Sequence, residues 1–292
     1  VRQVSLDIKQ GETFALVGES GSGKSTLALA ITGLLTAAEG QIKFMDEDVT
    51  NMTSSQIMAY RKKISFIWQN SIGSLSPRMS VGSLITEGYK IHNLKDRDIK
   101  MEADRLLKLV GLPTNIKERY AHELSGGQAR RVGVARAIAL DPKLIIADEP
   151  TAGLDVSVQG EILNLLNKLR DDLGVSLLVI THNLNIVRHI SDRTAVMYLG
   201  RFVEQGQTDD IFAKPRHPYT LALLSANLTP YQETSLKNRI ELTGEVPSLM
   251  DRPNGCEFHT RCPFSSKHCD DEFPPIHTFN SQQILTCHYP LK

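Results

Sequence analysis

GESGSGKS, residues 18–25, stands between two segments of different periodicity. The apolar segment TFALVG before it (residues 13–18) is predicted to be a strand, and residues 25–32 after it have helical spacing. Glycines allow backbone N–H groups to curl around phosphate oxygens, and a helix N-terminus adds a partial positive charge. The stretch fits the pattern G-x-x-x-x-G-K-[ST] and therefore predicts a loop that holds the phosphates of a nucleotide.

Two side chains of this loop have specific expected roles. The ammonium group of Lys24 is expected to reach the β- and γ-phosphates, and the hydroxyl of Ser25 is expected to bind Mg²⁺. A glycine turn that merely connects a strand to a helix is the alternative, which the strand–loop–helix order disfavours. The other predicted nucleotide-binding residues of the loop are Gly18, Glu19, Ser20, Gly21, Ser22, Gly23 and Thr26.

A second apolar run, LIIADE (residues 144–149), ends in two acids. A buried strand of this kind places both carboxylates at the edge of the sheet where α/β proteins bind ligands. We expect Asp148 to contribute to the Mg²⁺ shell and Glu149 to orient and deprotonate the attacking water. Taken alone, this run is more simply interpreted as a strand whose charged end is exposed to solvent. The phosphate-binding loop in the same chain favours the catalytic interpretation.

Strand and helix patterns alternate along the chain, which predicts an α/β architecture with a mixed sheet core. QIKFMDEDV (residues 41–49) is one of the predicted strands. Residues from about 71 to 142 have helical character and are predicted to be a subdomain inserted into a nucleotide-binding domain of residues 1–214. Residues 215–292 are richer in proline and weaker in periodicity, which predicts a small C-terminal extension.

The composition disfavours two classes of protein. Lysine plus arginine number 33 and aspartate plus glutamate also number 33, so no excess of positive charge marks a nucleic-acid binder. No apolar run approaches the roughly 18–20 residues that span a bilayer, and no secretory signal is present. The chain begins at Val1 within a strand-like segment, so we expect that it starts inside a domain.

LSGGQ (residues 124–128) precedes a helical segment, and its serine and glycines predict a second anion-binding helix N-terminus. Together with the loop and the acid pair, it resembles the signature of ATP-binding cassette (ABC) ATPases over residues 1–206. The resemblance implies a P-loop fold of the ABC ATPase type. It also implies that the protein hydrolyses MgATP at the interface of two subunits arranged head to tail. The residues that it assigns to the nucleotide of the partner subunit are Ser125, Gly126, Gly127, Gln128 and Asp155.

The same resemblance implies two further catalytic residues. Gln69, at the end of FIWQ, matches the Q-loop glutamine that senses Mg²⁺ and the γ-phosphate, and His182 in ITHN matches the switch histidine. The implied Mg²⁺ ligands are Ser25, Gln69 and Asp148. The aromatic residue on which this family stacks adenine is expected upstream of Val1, so ATP rather than GTP is implied by the family alone. The chain departs from the usual pattern at Ala129, Arg130, Gly153 and Asn183.

A narrower resemblance covers nearly the whole chain. SIGSLSPRMSVGSLI (71–85), MYLGRFVEQG (197–206), HPYTLALLSA (217–226) and GEVPS (244–248) are similar to the ATPase subunits of dipeptide and oligopeptide importers, a group that includes nickel importers. This implies a second, often different, ATPase subunit, two membrane permeases and an extracytoplasmic binding protein, at the cytoplasmic face of the membrane. The other subunits would choose the transported molecule.

Two other classes of function are weighed against import. A non-transport ABC ATPase of DNA repair or translation usually has a long coiled-coil insert or two cassettes, which this chain lacks. A regulatory module that binds nucleotide without hydrolysis is disfavoured because both Glu149 and His182 are present.

All four cysteines lie near the end of the chain, with five, six and seventeen residues between successive members. Structural disulfides are not expected in a reducing compartment, so the spacing favours ligands of one metal centre. Zinc is one candidate, with His259, His268 or His288 able to replace a cysteine. The resemblance includes members whose similar tails bind a four-iron cluster, which favours a structural [4Fe–4S] cluster on Cys256, Cys262, Cys269 and Cys287.

Overall fold

A computed structural model of the chain describes residues 1–70, 72–94, 96–226, 242, 244–279 and 283–291. Ser71, the first residue of the predicted helical subdomain, and Lys292, the last of the predicted extension, lie outside these ranges. The chain forms two compact units. The first comprises Val1–Ile8, Glu12–Leu27 and Ile180–Lys292, and the second comprises Lys9–Gly11 and Ala28–Val179. The predicted division at residue 214 stays a prediction.

The described residues contain strands and helices in alternation, as predicted for an α/β protein with a mixed sheet. The strands are β1 (Thr13–Val17), β2 (Lys43–Phe44), β3 (Glu47–Asp48), β4 (Ile64–Ile67), β5 (Leu144–Asp148), β6 (Ser176–Thr181), β7 (Arg193–Tyr198), β8 (Arg201–Gln207), β9 (Ile276–Phe279) and β10 (Gln283–Thr286). The helices are α1 (Lys24–Ile31), α2 (Ser54–Lys63), α3 (Val81–Ile91), α4 (Ile99–Leu109), α5 (Gly126–Ile138), α6 (Val156–Leu173), α7 (Leu184–Ile190), α8 (Thr208–Ala213), α9 (Pro218–Ala226) and α10 (Lys267–Asp271). Within the described ranges, none of these helices has both the length and the apolar content to cross a bilayer.

In the first unit the strands lie in the order β1-β7-β8-β10-β9. β1 runs parallel to β7, and the pairs β7–β8, β8–β10 and β10–β9 are antiparallel. Every residue of β1 is buried, and its sequence TFALV is apolar at each position after Thr13. The glycine loop leaves the carboxyl end of this strand. The last two strands of the C-terminal extension therefore continue the sheet that carries this loop.

In the second unit β4 runs parallel to β5, with Ile64 opposite Leu144. β6, whose first four residues belong to this unit, follows β5 in the sheet order. The predicted helical region contains α3 and α4, which begin at the capping residues Ser80 and Asp98. These helices bury apolar side chains at helical spacing, namely Val81, Leu84, Ile85, Ala103, Leu106 and Leu107.

The segment QIKFMDEDV, predicted as one strand, is a hairpin instead. β2 and β3 pair antiparallel, with Phe44 opposite Glu47. The two residues between them, Met45 and Asp46, have φ values of 51° and 65°. Two successive left-handed residues reverse the chain in the turn that suits the twist of a hairpin. The alternation of apolar and polar residues stops at this turn, because Met45 follows Phe44 and three acidic residues follow Met45, and this break is the signal that the single-strand prediction overlooked.

Candidate nucleotide site

The phosphate-binding loop packs against the end of β7. A side chain at Gly18 would collide with the backbone oxygen of Met197, so only glycine fits there. The carbonyl of Ser22 accepts a hydrogen bond from the N–H of Gly200 at 2.7 Å, in the turn after β7. The loop is thus held by backbone contacts of its own unit before it turns into α1, whose N-terminus opens at Lys24.

Lys24 organises the loop from within. Its side chain is buried, and its Nζ donates to the carbonyls of Gly18 and Glu19, both at 2.8 Å, and to the Oγ of Ser22 at 3.3 Å. The neighbouring Ser25, in contrast, is exposed at the start of α1. The ammonium group therefore draws the loop carbonyls inward, and the start of α1 presents the N-terminal end of a helix, where an anion can bind.

The acid pair lies where the sequence predicts it. Asp148 ends β5, Glu149 follows it, and the side chains are buried. Glu149 has φ of 47°, an uncommon left-handed conformation for a side chain of this size, and its carbonyl accepts a hydrogen bond from Ala152 at 3.1 Å. Such backbone strain is concentrated at functional sites.

The signature segment forms a capped and exposed helix start. The Oγ of Ser125 accepts from the N–H of Gln128 at 3.3 Å, and the Oε1 of Gln128 accepts from the N–H of Ser125 at 3.1 Å. Ser125 and Gly126 are exposed. The side chain of Gln128 therefore caps α5, while the N-terminus of this helix remains accessible to a ligand from outside the subunit.

Arg130, one of the departures from the usual pattern, connects two of the predicted site segments. It is buried, and its guanidinium donates to the carbonyls of Trp68 (3.1 Å), Gln69 (2.8 Å) and Ala152 (2.9 Å). It thus joins the predicted Q-loop to the turn that leads to Asp155. The signal that was missed is a charged residue at a helical position flanked by the buried residues Ala129 and Val132.

Two further departures, Gly153 and Asn183, fit the local backbone geometry. Gly153 has φ of 73°, a conformation that costs glycine less than alanine. Asn183 still caps a helix as an aspartate would, because its Oδ1 accepts from the N–H of Asn185 at 3.0 Å at the start of α7. Neither replacement removes a reacting group.

The predicted site residues are divided between the two units. The phosphate-binding loop and His182, which is exposed after β6, belong to the first unit. The second unit carries the exposed Gln69, the acid pair, the signature segment and the exposed Asp155 at the start of α6. The roles of these residues around one nucleotide therefore stay predictions.

All four cysteines carry free thiols and line one cavity in the first unit. The N–H of Cys256 donates to the carbonyl of Cys269 at 2.8 Å, and His217, Phe258 and His259 are among the other lining residues. Burial raises the pKa of Cys256 to about 11 and that of Cys287 to about 12. Among the described residues, no group of three or more His, Cys, Asp or Glu side chains is arranged to hold a metal ion.

The chain matches two family models. Residues 1–152 match the ABC transporter family, and residues 203–269 match the C-terminal region of oligopeptide/dipeptide transporters. The oligopeptide transport ATP-binding protein OppF of Haemophilus influenzae is 42% identical, over 98% of this chain and 87% of its own length. AppF of Bacillus subtilis, of the same description, is also 42% identical, over 98% of this chain and 88% of its own.

Solved structures share the fold. The cbiO1 protein of Clostridium perfringens, part of the ABC transporter complex cbiONQ, has 34% identity and a TM-score of 0.67, over 72% of this chain and 82% of its own. The ATP-binding cassette MJ0796, solved as a dimer bound to ADP and Pi, has 29% identity and a TM-score of 0.64, over 70% of this chain and 88% of its own. The predicted ABC ATPase fold and the predicted family are thereby confirmed. This chain belongs to the ABC transporter family, in the group of ATPase subunits of oligopeptide and dipeptide importers.

Proposed function

We propose that this chain hydrolyses MgATP to drive the uptake of di- or oligopeptides, or of nickel or a related small solute, through a membrane complex. The observation that carries the proposal is Glu149, a buried carboxylate at the end of β5 in the same chain as a phosphate-binding loop organised by Lys24. ATP hydrolysis by the purified complex, dependent on Mg²⁺ and stimulated by the transported peptide, tests it. A complex that binds ATP without turnover would contradict it.

Each group has one task in the proposed reaction. The backbone N–H groups of the loop and the Lys24 ammonium bind the phosphates, and Glu149 takes the proton of the attacking water. Ser25, Gln69 and Asp148 would hold Mg²⁺, which offsets the charge of the phosphate oxygens. His182 would contact the reacting γ-phosphate, and Arg130 positions the backbone of Gln69 through its hydrogen bond to that carbonyl.

The exposed signature segment supports a second ATPase subunit as the partner. Ser125 and Gly126 present an accessible helix N-terminus, which can bind the nucleotide of another subunit. We infer a head-to-tail pair with a paralogous subunit, in which Ser125, Gly126, Gly127, Gln128 and Asp155 face the partner's ATP. Two permeases and an extracytoplasmic binding protein complete the complex, at the cytoplasmic face of the membrane and without nucleic acid. Co-purification of these subunits tests the inference.

Ser125→Arg is expected to abolish turnover of the complex while the isolated chain still binds ATP. The arginine fills the exposed start of α5 and adds a cation to its positive end, but the phosphate-binding loop is unchanged. Turnover of the complex and calorimetry on the isolated chain measure the two effects. Ser55→Arg, at an exposed position in the first turn of α2, is the matched control. If Ser125→Arg also abolished ATP binding by the isolated chain, the signature segment would act on the nucleotide of its own subunit, and the inference would be wrong.

We further infer that the cysteine cavity holds a [4Fe–4S] cluster with a structural role. Four free thiols line the cavity, and burial raises the pKa of Cys256, Cys262 and Cys287, which disfavours their thiolate forms unless a cation compensates. Among the described residues no group of three or more His, Cys, Asp or Glu side chains is arranged to hold a metal ion, and a single zinc ion would need its ligands to converge to about 2.3 Å. A [4Fe–4S] cluster is larger and distributes its four cysteine ligands over four irons, so it suits four thiols around a cavity better than a single zinc ion does. Zinc is the alternative.

Cys262→Ser is expected to remove the colour and the iron of anaerobically purified protein. The native chain should contain about four irons and absorb broadly near 400 nm, because four cysteines ligate such a cluster. Metal analysis and absorption spectra measure both. Lys267→Gln, an exposed change in the same extension outside the cavity lining, should keep the iron. One zinc per native chain would assign the site to zinc, and metal-free protein with reactive thiols would remove the assignment.

A further inference from the structure

Glu19, the second residue of the phosphate-binding loop, forms an ion pair with the C-terminal extension. The Nη1 of Arg261 lies 2.7 Å from one carboxylate oxygen of Glu19 and its Nη2 lies 3.0 Å from the other. The Arg261 side chain is 5% exposed and that of Glu19 is 26% exposed. Two parallel N–H···O bonds fix the orientation of the carboxylate as well as its position.

A second contact from the same unit holds the backbone of Glu19. Its N–H donates to the phenol oxygen of Tyr219 at 2.9 Å, and Tyr219 is fully buried in α9. The carbonyl of Glu19 accepts from Lys24 Nζ at 2.8 Å. The donor, the acceptor and the side chain of this one residue are therefore all engaged, two of them by residues outside the loop.

These contacts connect directly to the cysteine cavity. The ring of Tyr219 lies 5.3 Å from that of Phe258, a cavity-lining residue, and 4.8 Å from that of Tyr198. The guanidinium of Arg261, in the residue before Cys262, lies 5.9 Å from the Tyr198 ring. Cys256 and Cys269 belong to the same buried apolar cluster as the three aromatic residues. Closely packed side chains are hard to compress, so a displacement of one side chain moves its neighbours as whole groups.

The ion pair between Arg261 and Glu19 also changes the charge of the phosphate-binding loop. A carboxylate in a loop that binds phosphates would repel the ligand. The Arg261 guanidinium, whose Nη1 lies 2.7 Å from the carboxylate of Glu19, offsets that negative charge. Fixing the loop before the ligand arrives also reduces the ordering entropy that binding costs. An ion pair of this kind can therefore favour the binding of a phosphate ligand in two ways.

We propose that Arg261 and Tyr219 are positioning residues through which the cysteine extension fixes the phosphate-binding loop for ATP. This rests on the proposed function only in taking ATP as the ligand of the loop. The extension is then part of the nucleotide-binding site of its own subunit, in addition to any structural role of the cysteines.

Arg261→Gln in the full chain tests the proposal. We expect the Kd for MgATP to rise about tenfold, as for the loss of a charge-assisted hydrogen-bonded pair, and the KM of the complex to rise with it. The kcat at saturating ATP should change less than twofold, because no reacting group is moved. Arg261→Lys should recover part of the affinity, since it restores the charge without the two-pronged geometry.

The matched control is Arg201→Gln. Arg201 pairs with Glu257 of the extension at 3.5 Å and lies 4.7 Å from the ring of Phe273, so it ties the extension down without contacting the loop. Its Kd for MgATP should stay native. Glu19→Gln should raise the Kd less than Arg261→Gln, because it releases the loop but also removes the carboxylate that repels the phosphates. The double variant should bind no more weakly than Arg261→Gln alone, because the two residues act through one contact.

The outcomes separate the two proposals. If the native chain does not bind MgATP, the proposed function fails. If the native chain binds and both Arg261→Gln and Glu19→Gln bind with native Kd, the positioning role is overturned and the proposed function stands. Strictly additive losses in the double variant, or an equal loss in Arg201→Gln, would also overturn it. Should Arg261→Gln fail to fold, Tyr219→Phe removes the hydrogen bond to the Glu19 N–H without changing any charge, and a native Kd in that variant would overturn the positioning role.

Discussion

Glu149→Gln is expected to bind MgATP with native affinity and to hydrolyse it ~10²–10⁴ times more slowly, the usual cost of removing a general base. The amide has the size and shape of the carboxylate, so the buried pocket at the end of β5 and the left-handed backbone at this residue can remain. What is lost is the capacity to take a proton from water. Single-turnover hydrolysis and calorimetric ATP binding measure the two properties.

The subunit pair should then persist in ATP, because the nucleotides that hold it together are not consumed. Gel filtration with and without MgATP tests this. Glu161→Gln, the same chemical change on an acid whose side chain is 60% exposed on α6, should leave turnover unaffected. Native turnover by Glu149→Gln would mean that another group is the base.

The local parts of the fold could be predicted from sequence because each is encoded within a few residues. β1, the glycine loop and α1 follow one another without a break, and α1 begins one residue before the predicted position. The acid pair lies at the end of a buried strand for the same reason. Residue periodicity and glycine placement are sufficient when the contacts concerned are made within the segment or with a generic apolar core.

Long-range pairings could not be predicted in this way. β9 and β10 have short and only partly apolar sequences, IHTF and QILT, and are stabilised as strands by pairing with β8, where Ile284 lies opposite Gln205. The ion pair of Arg261 with Glu19 joins residues 242 positions apart. No periodicity records such a partner, since only the folded chain brings the two groups together. The extension was consequently expected to be an appendage, whereas its contacts reach the nucleotide loop.

Lys24→Ala is expected to weaken MgATP binding by about 10–10²-fold, with turnover at subsaturating ATP falling at least as much. A hydrogen bond to a charged group contributes roughly 1.5–3 kcal/mol, and the lost ammonium is the charge nearest the expected β- and γ-phosphates. The free loop should change as well, because Lys24 Nζ donates to the carbonyls of Gly18 and Glu19. Calorimetry measures the affinity, and thermal unfolding without nucleotide measures the loop.

Lys24→Gln separates the two contributions of this side chain. Its amide can still donate to a loop carbonyl, but it carries no charge for the phosphates. If charge dominates, Lys24→Gln should bind MgATP as weakly as Lys24→Ala while unfolding closer to the native temperature. If loop organisation dominates, Lys24→Gln should recover both. Lys168→Ala, an exposed lysine on α6, controls for a general loss of positive charge. Native affinity in both Lys24 variants would contradict the phosphate-binding role of the loop, because no other cation of that loop is available in the described sequence.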